Sequence, residues 1–118
     1  MSESKKREIP NFAKMRPEEL PAVYEYQLLK EIKFGKGDNT EIHTVIELRE
    51  PELDEIDAFV KNVRSKGEIA ALKFFIAQIT DVEFVIIGKM GARDMAVCQE
   101  YLTAFMNGSQ KTGDTSPE

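Results

Sequence analysis

The sequence predicts an α+β domain: an N-terminal β-hairpin packed against a small bundle of about three helices. Three observations carry that expectation. Period-two alternation runs on both sides of a glycine-rich turn between residues 24 and 48. Helical spacing replaces it after Pro51, and the stretch Ile69–Ile79, "IAALKFFIAQI", is apolar except for Lys73 and Gln78. A helix apolar on nearly every side has to be buried on nearly every side.

The first strand follows from Tyr24, Tyr26, Leu28, Lys30, Ile32 and Phe34, which alternate with Glu25, Gln27, Leu29, Glu31 and Lys33. Lys30 is the one blemish on the apolar face. Gly35-Lys36-Gly37-Asp38-Asn39 supplies turn chemistry. Ile42, Thr44, Ile46 and Leu48 then oppose His43, Val45 and Glu47, giving a second strand and a hairpin. A lone hairpin is marginal in water and needs a surface to pack on.

That surface is expected from helices. Leu53, Ile56, Phe59, Val60 and Val63 recur at helical spacing, acidic residues open the segment, basic ones close it, and Gly67 follows as a stop. The spacing predicts a helix over 51–66 and a second over 68–80. Leu53, Ile56 and Val60 of the first are expected in the core, with Leu72, Phe75, Ile76 and Ile79 of the second. Ile69 falls on the same stripe, while Phe74 projects from the far side. Residues 82–90, "VEFVIIGKM", fit a buried strand and a short apolar helix equally well. A last helix is expected over 92–106, with Asp94 favourable in its first turn.

The termini read differently. Residues 1–22 hold three of the five prolines and are expected to form a flexible arm with at most one helical turn. Residues 107–118 carry no apolar anchor and are expected to be a disordered tail. That leaves a single domain over 23–106, near the lower end of the size that can bury enough surface alone.

Composition excludes several function classes. A net charge of −5 argues against a dedicated nucleic-acid binder, and Lys5-Lys6-Arg7 is too short a basic run to reverse this. Cys98 is the only cysteine, which excludes an internal disulfide and fits a reducing compartment. No apolar run is long enough for a membrane span, so an intracellular protein without a membrane partner is expected. The sole histidine, His43, is read as exposed or at an edge. The Glu50–Asp57 acids scatter around a helix without the EF-hand glycine, and Gly35-x-Gly37 joins strands rather than opening a helix. No catalytic, metal or cofactor site is expected.

The stretches "LLKEIKFGKGDNTEIHTVIELREPELDEI" and "ALKFFIAQITDVEFVIIGKMGARDMAVCQEYLTAF" resemble the tail assembly chaperones of contractile-tailed bacteriophages. These small proteins are encoded, in phages and prophages, between the tail tube and tape-measure genes. The motif residues are Leu48, Arg49 and Pro51 before the first helix, Asp94 opening the last, and a terminal aromatic, Phe105. Two departures are the 1–22 arm and Gly91 where the family often has Ser or Thr as N-cap. The resemblance implies a non-enzymatic late protein of the host cell cytoplasm, absent from the mature virion. It implies binding to the tape-measure protein, recruitment of tail tube proteins, and often a longer product made by ribosomal frameshift. A regulatory adaptor or a minor structural tail protein are the alternative readings.

The residues add a partner argument of their own. A small domain holding a helix with apolar residues on both faces implies self-association or a helix-binding groove. The other reading is that 82–90 and the last helix cover Phe74 within one chain. Phe74, Ile42, Val45, Tyr101 and Phe105 are the candidate partner-binding residues.

Overall fold

The structure, a computed structural model, describes residues 9–114, with side-chain environments for residues 9–106. It is an α+β fold: an antiparallel two-stranded hairpin followed by four helices, one of them a single turn.

Strands β1 (Val23–Phe34) and β2 (Glu41–Arg49) flank the turn. Gly35 enters that turn at φ 109°, and a Cβ there would lie 2.5 Å from the Asn39 carbonyl oxygen, so both conformation and space require glycine. Near the open end Tyr24 pairs with Leu48 and Tyr26 with Ile46. Tyr26, Ile46 and Leu48 are buried, as the alternation requires.

The alternation does not continue uninterrupted. Gln27 pairs with Val45 and Ile32 with His43, so residues 28–31 stand opposite Thr44 alone. This wide bulge shifts the facing. Beyond it, buried Ile32 shares a side with His43, while Ile42 pairs with Lys33 and is exposed. The expectation that Ile42 and Ile46 share one buried face is corrected by the bulge.

Helix α1 (Leu53–Lys66) starts on a carboxylate that accepts its own entry amide: the Glu52 N–H donates to Glu55 Oε1 at 2.9 Å. Gly67, at φ 94°, then serves two helices. Its N–H donates to the Val63 carbonyl at 3.0 Å, and its own carbonyl accepts the Ala71 N–H at 3.1 Å. Helix α2 (Glu68–Thr80) therefore begins where α1 ends, with no loop between them. Ala71, Leu72, Phe75, Ile76 and Ile79 form its buried stripe.

Residues 82–90 resolve as a short helix, α3 (Phe84–Ile87), that buries Ile86 and Ile87 between α2 and β1. Helix α4 (Ala92–Asp114) buries Asp94, Cys98, Tyr101, Leu102 and Ala104. It runs past residue 106, so the backbone of 107–114 continues the helix instead of forming the expected tail. The remaining tail residues, 115–118, lie outside the described residues.

The N-terminal reading also needs correction where it can be tested. Two 3-10 turns, Phe12–Lys14 and Pro17–Glu19, pack on α4, and Phe12 and Leu20 belong to the core. Phe12 meets Tyr24 and Tyr101 edge-on, each at 5.2 Å between ring centroids. A single apolar residue between prolines has no periodicity to announce it, which is why the segment reads as an arm. Residues 1–8 of the expected arm lie outside the described residues.

Candidate partner-binding surfaces

The motif residues turn out to be joints. Arg49 leaves β2 and reaches both helices of the adjacent pair. Its Nη1 and Nη2 donate to Glu55 Oε1 and Oε2 at 2.9 and 2.6 Å, and Nη2 also donates to the Gln78 carbonyl at 3.2 Å. This two-point fork fixes orientation as well as distance, which a lysine could not do. The Arg49 hydrogen bonds hold the Glu55 carboxyl below its ordinary range, and the same pairing raises the Arg49 guanidinium. Leu48 beside it is fully buried, and Pro51 is buried before α1.

Asp94 is the second joint. Only 1% exposed, it accepts the Tyr26 hydroxyl at 2.6 Å and the Leu29 and Lys30 backbone N–H groups at 2.8 and 3.0 Å. Those amides belong to the bulge, where the register offers them no facing residue. The sequence reading gave Asp94 a role at the helix start; the side chain instead ties α4 to a strand more than sixty residues earlier.

Of the candidate partner-binding residues, Ile42 and Val45 are exposed on the hairpin, with Val23 and Leu29 exposed on its first strand. Phe74 is 37% exposed and stacks on Phe84 at 4.2 Å between centroids. Helix α3 therefore covers one side of Phe74 and leaves the rest open. Tyr101 is a correction: it is fully buried, its hydroxyl donates to the Pro21 carbonyl at 2.6 Å, and burial pushes its pKa up to about 12. It holds the N-terminal segment to α4 and is no surface residue. Phe105 is half-buried, edge-on to Tyr101 at 5.2 Å.

Among the expected core residues, Leu72, Phe75, Ile76 and Ile79 are buried and Ile56 is half-buried. Leu53 is 81% exposed and Val60 is also exposed, so neither is core. The α1 face turned to α2 is carried by Ile56 and Phe59, whose ring stacks on Phe75 at 4.9 Å. Leu53, at the first helical position, falls outside that contact. Ile69 is exposed for the same end-of-helix reason.

Residues 25–107 match the family described as "Phage tail assembly chaperone proteins, E, or 41 or 14". The chain belongs to this family. The match runs from β1 into α4 and includes Leu48, Arg49, Pro51, Asp94 and Phe105. The chaperone therefore works with phage tail proteins during tail assembly, in a family whose role is generally non-enzymatic. No curated protein and no solved structure matches it.

Other features of the chaperone fit an interaction protein. Among the described residues no three metal-binding side chains converge, and no helix is long and apolar enough to cross a membrane. His43 is part-exposed, its Nε2 at 3.2 Å from Glu41 Oε1. Cys98 is fully buried, and that burial raises its thiol to about 12, well away from nucleophilic chemistry. Sequence reasoning missed Val85, exposed beside Phe84 on α3, and the lysines that flank the Phe74–Phe84 pair. Nothing in one-dimensional spacing brings residues 66, 73, 74 and 84 together.

Proposed function

We propose that the chaperone binds the tape-measure protein, keeps it soluble, and helps recruit the tail tube subunits that then displace it. It acts in the host cytoplasm and leaves before the virion is complete. The observation supporting this reading is the open outer face of the hairpin. A two-stranded sheet is a thin platform, and here one side packs on helices while Val23, Leu29, Ile42 and Val45 remain exposed on the strands. An amphipathic helix from a long helical partner can lay its apolar stripe across such a face.

The experiment is co-expression with the tape-measure protein, following the soluble fraction of that protein. Ile42→Ser with Val45→Ser should leave the unfolding midpoint nearly unchanged, because both side chains already face water. Soluble tape-measure protein should fall severalfold. Equal solubility with and without the chaperone would overturn the reading. Finding the chaperone in purified particles would overturn the part that has it leave.

A further inference from the structure

Two exposed surfaces of this chain are complementary to each other, and they lie where one copy cannot join them. The first surrounds the Phe74–Phe84 stack. Lys73 Nζ stands 5.1 Å from the Phe84 ring centroid and Lys66 Nζ 6.0 Å from that of Phe74, with Val85 exposed beside them. It is an aromatic knob with a basic rim. The second is a groove of about 760 Å³ between α1 and α4, floored by Pro51, Ile56 and Phe105. Glu50, Glu52 and Asp54 rim it, and Leu53 stands at its lip.

Helix α1 separates the two surfaces. Lys66 is its last residue and Leu53 its first, so roughly 20 Å of helix lies between them at 1.5 Å per residue. Neither Lys66 nor Lys73 has an ion-pair partner among the described residues, nor do Glu50 and Asp54. Complementing the helix dipole accounts for acids at one end of α1 and bases at the other. It accounts neither for a leucine left 81% exposed among the acids nor for a stacked aromatic pair left open among the bases.

We infer that the knob of one copy seats in the groove of the next, so that the chaperone associates head to tail with itself. Lysines then meet carboxylates around a desolvated apolar centre of Phe74, Phe84 and Val85 against Leu53, Ile56 and Phe105. Pairing knob with knob or groove with groove would set like charges together, so a two-fold symmetric dimer is disfavoured. A head-to-tail contact uses different patches on each partner and propagates into a ring or an open helical row. The hairpin face stays free in such a row.

The test uses the full chain without any tail protein, sized by sedimentation at about 100 µM. Wild type should form dimers and larger species at low salt. These should weaken about tenfold near 1 M salt, where the screening length is about 3 Å. One variant, Glu50→Lys with Leu53→Ser, removes the groove; another, Lys73→Glu with Val85→Ser, removes the knob. All four positions are exposed or half-buried, and an unchanged unfolding midpoint shows that each variant is folded. Each alone should be monomeric. Mixed in equal amounts they retain one knob and one groove between them, and should form a dimer that grows no further. A monomeric wild type, a variant that still dimerises alone, or a mixture that stays monomeric would each overturn the inference.

Discussion

The Tyr26 hydroxyl and the Asp94 carboxylate lie 2.6 Å apart and sixty-eight positions apart in the chain, both essentially excluded from solvent. Asp94 also holds the two bulge amides, so one side chain satisfies three buried or part-buried donors. Asp94→Ala leaves all three unpaired and should cost about 3–5 kcal/mol. Tyr26→Phe removes one donor and should cost about 1–2 kcal/mol. Denaturant midpoints measure both. Equal losses for the two variants would mean that the bulge amides do not depend on Asp94.

The Arg49–Glu55 fork predicts a pH dependence. Glu55 is held below its ordinary value of 4.5, so its contribution to stability is fully present above that value. It is lost as pH falls through the lowered value of the folded state. Glu55→Gln should therefore destabilise the protein at pH 7, and the gap from wild type should close by about pH 3. Urea titrations at both pH values read it directly. A gap that stays constant would place the value of Glu55 in packing rather than charge.

Phe12 makes the N-terminal segment part of the fold. Phe12→Ala should cost about 3–5 kcal/mol, as for other fully buried aromatic residues. Deleting residues 1–20 should lower the unfolding midpoint markedly, since it removes Phe12 and Leu20 together. A truncated chain as stable as the full one would show that segment to be dispensable.

Two leucines on adjacent helices should behave oppositely. Leu72→Ala creates a cavity in the core and should cost about 2–5 kcal/mol. Leu53→Ala, at an exposed helix start, should change stability by no more than about 0.5 kcal/mol. Thermal or urea unfolding of the pair tests this placement of the core in a single experiment.

Cys98 supplies a probe of opening. With its thiol raised to about 12 and no exposure, it should resist alkylation at pH 8 in the native protein. It should react at once in denaturant. Rapid native labelling would place α4 away from the core on the labelling timescale.

The hairpin, the helix pair and the α2 core stripe were legible because each rests on a period that several residues repeat. Leu72, Phe75, Ile76 and Ile79 fall 3 or 4 positions apart and need no tertiary knowledge. What the sequence hid depends on single residues or on distant meetings. Phe12 has no periodic companion, the bulge at 28–31 shows no glycine, and Asp94 finds its strand partners only after folding. Leu53 fits the helical period yet sits where the packed contact with α2 has ended. Of the candidate surface, Ile42, Val45 and Phe74 could be named one by one, but the basic rim around Phe74 could not.

Gly67 has a consequence for how the length of this chain can vary. Because it closes α1 and opens α2 by itself, it sets the rotational phase between them. Adding or removing one residue there would turn α2 by about 100° about its axis. Phe74 would be carried toward the hairpin and part of the Leu72–Ile79 stripe toward water, so such an insertion is as damaging as several core substitutions at once. The tip of the hairpin at Lys36–Asn39 has no such constraint, since its residues are exposed and only the strands on either side are paired. Natural insertions and deletions should accumulate at that tip and be missing from the junction at residue 67.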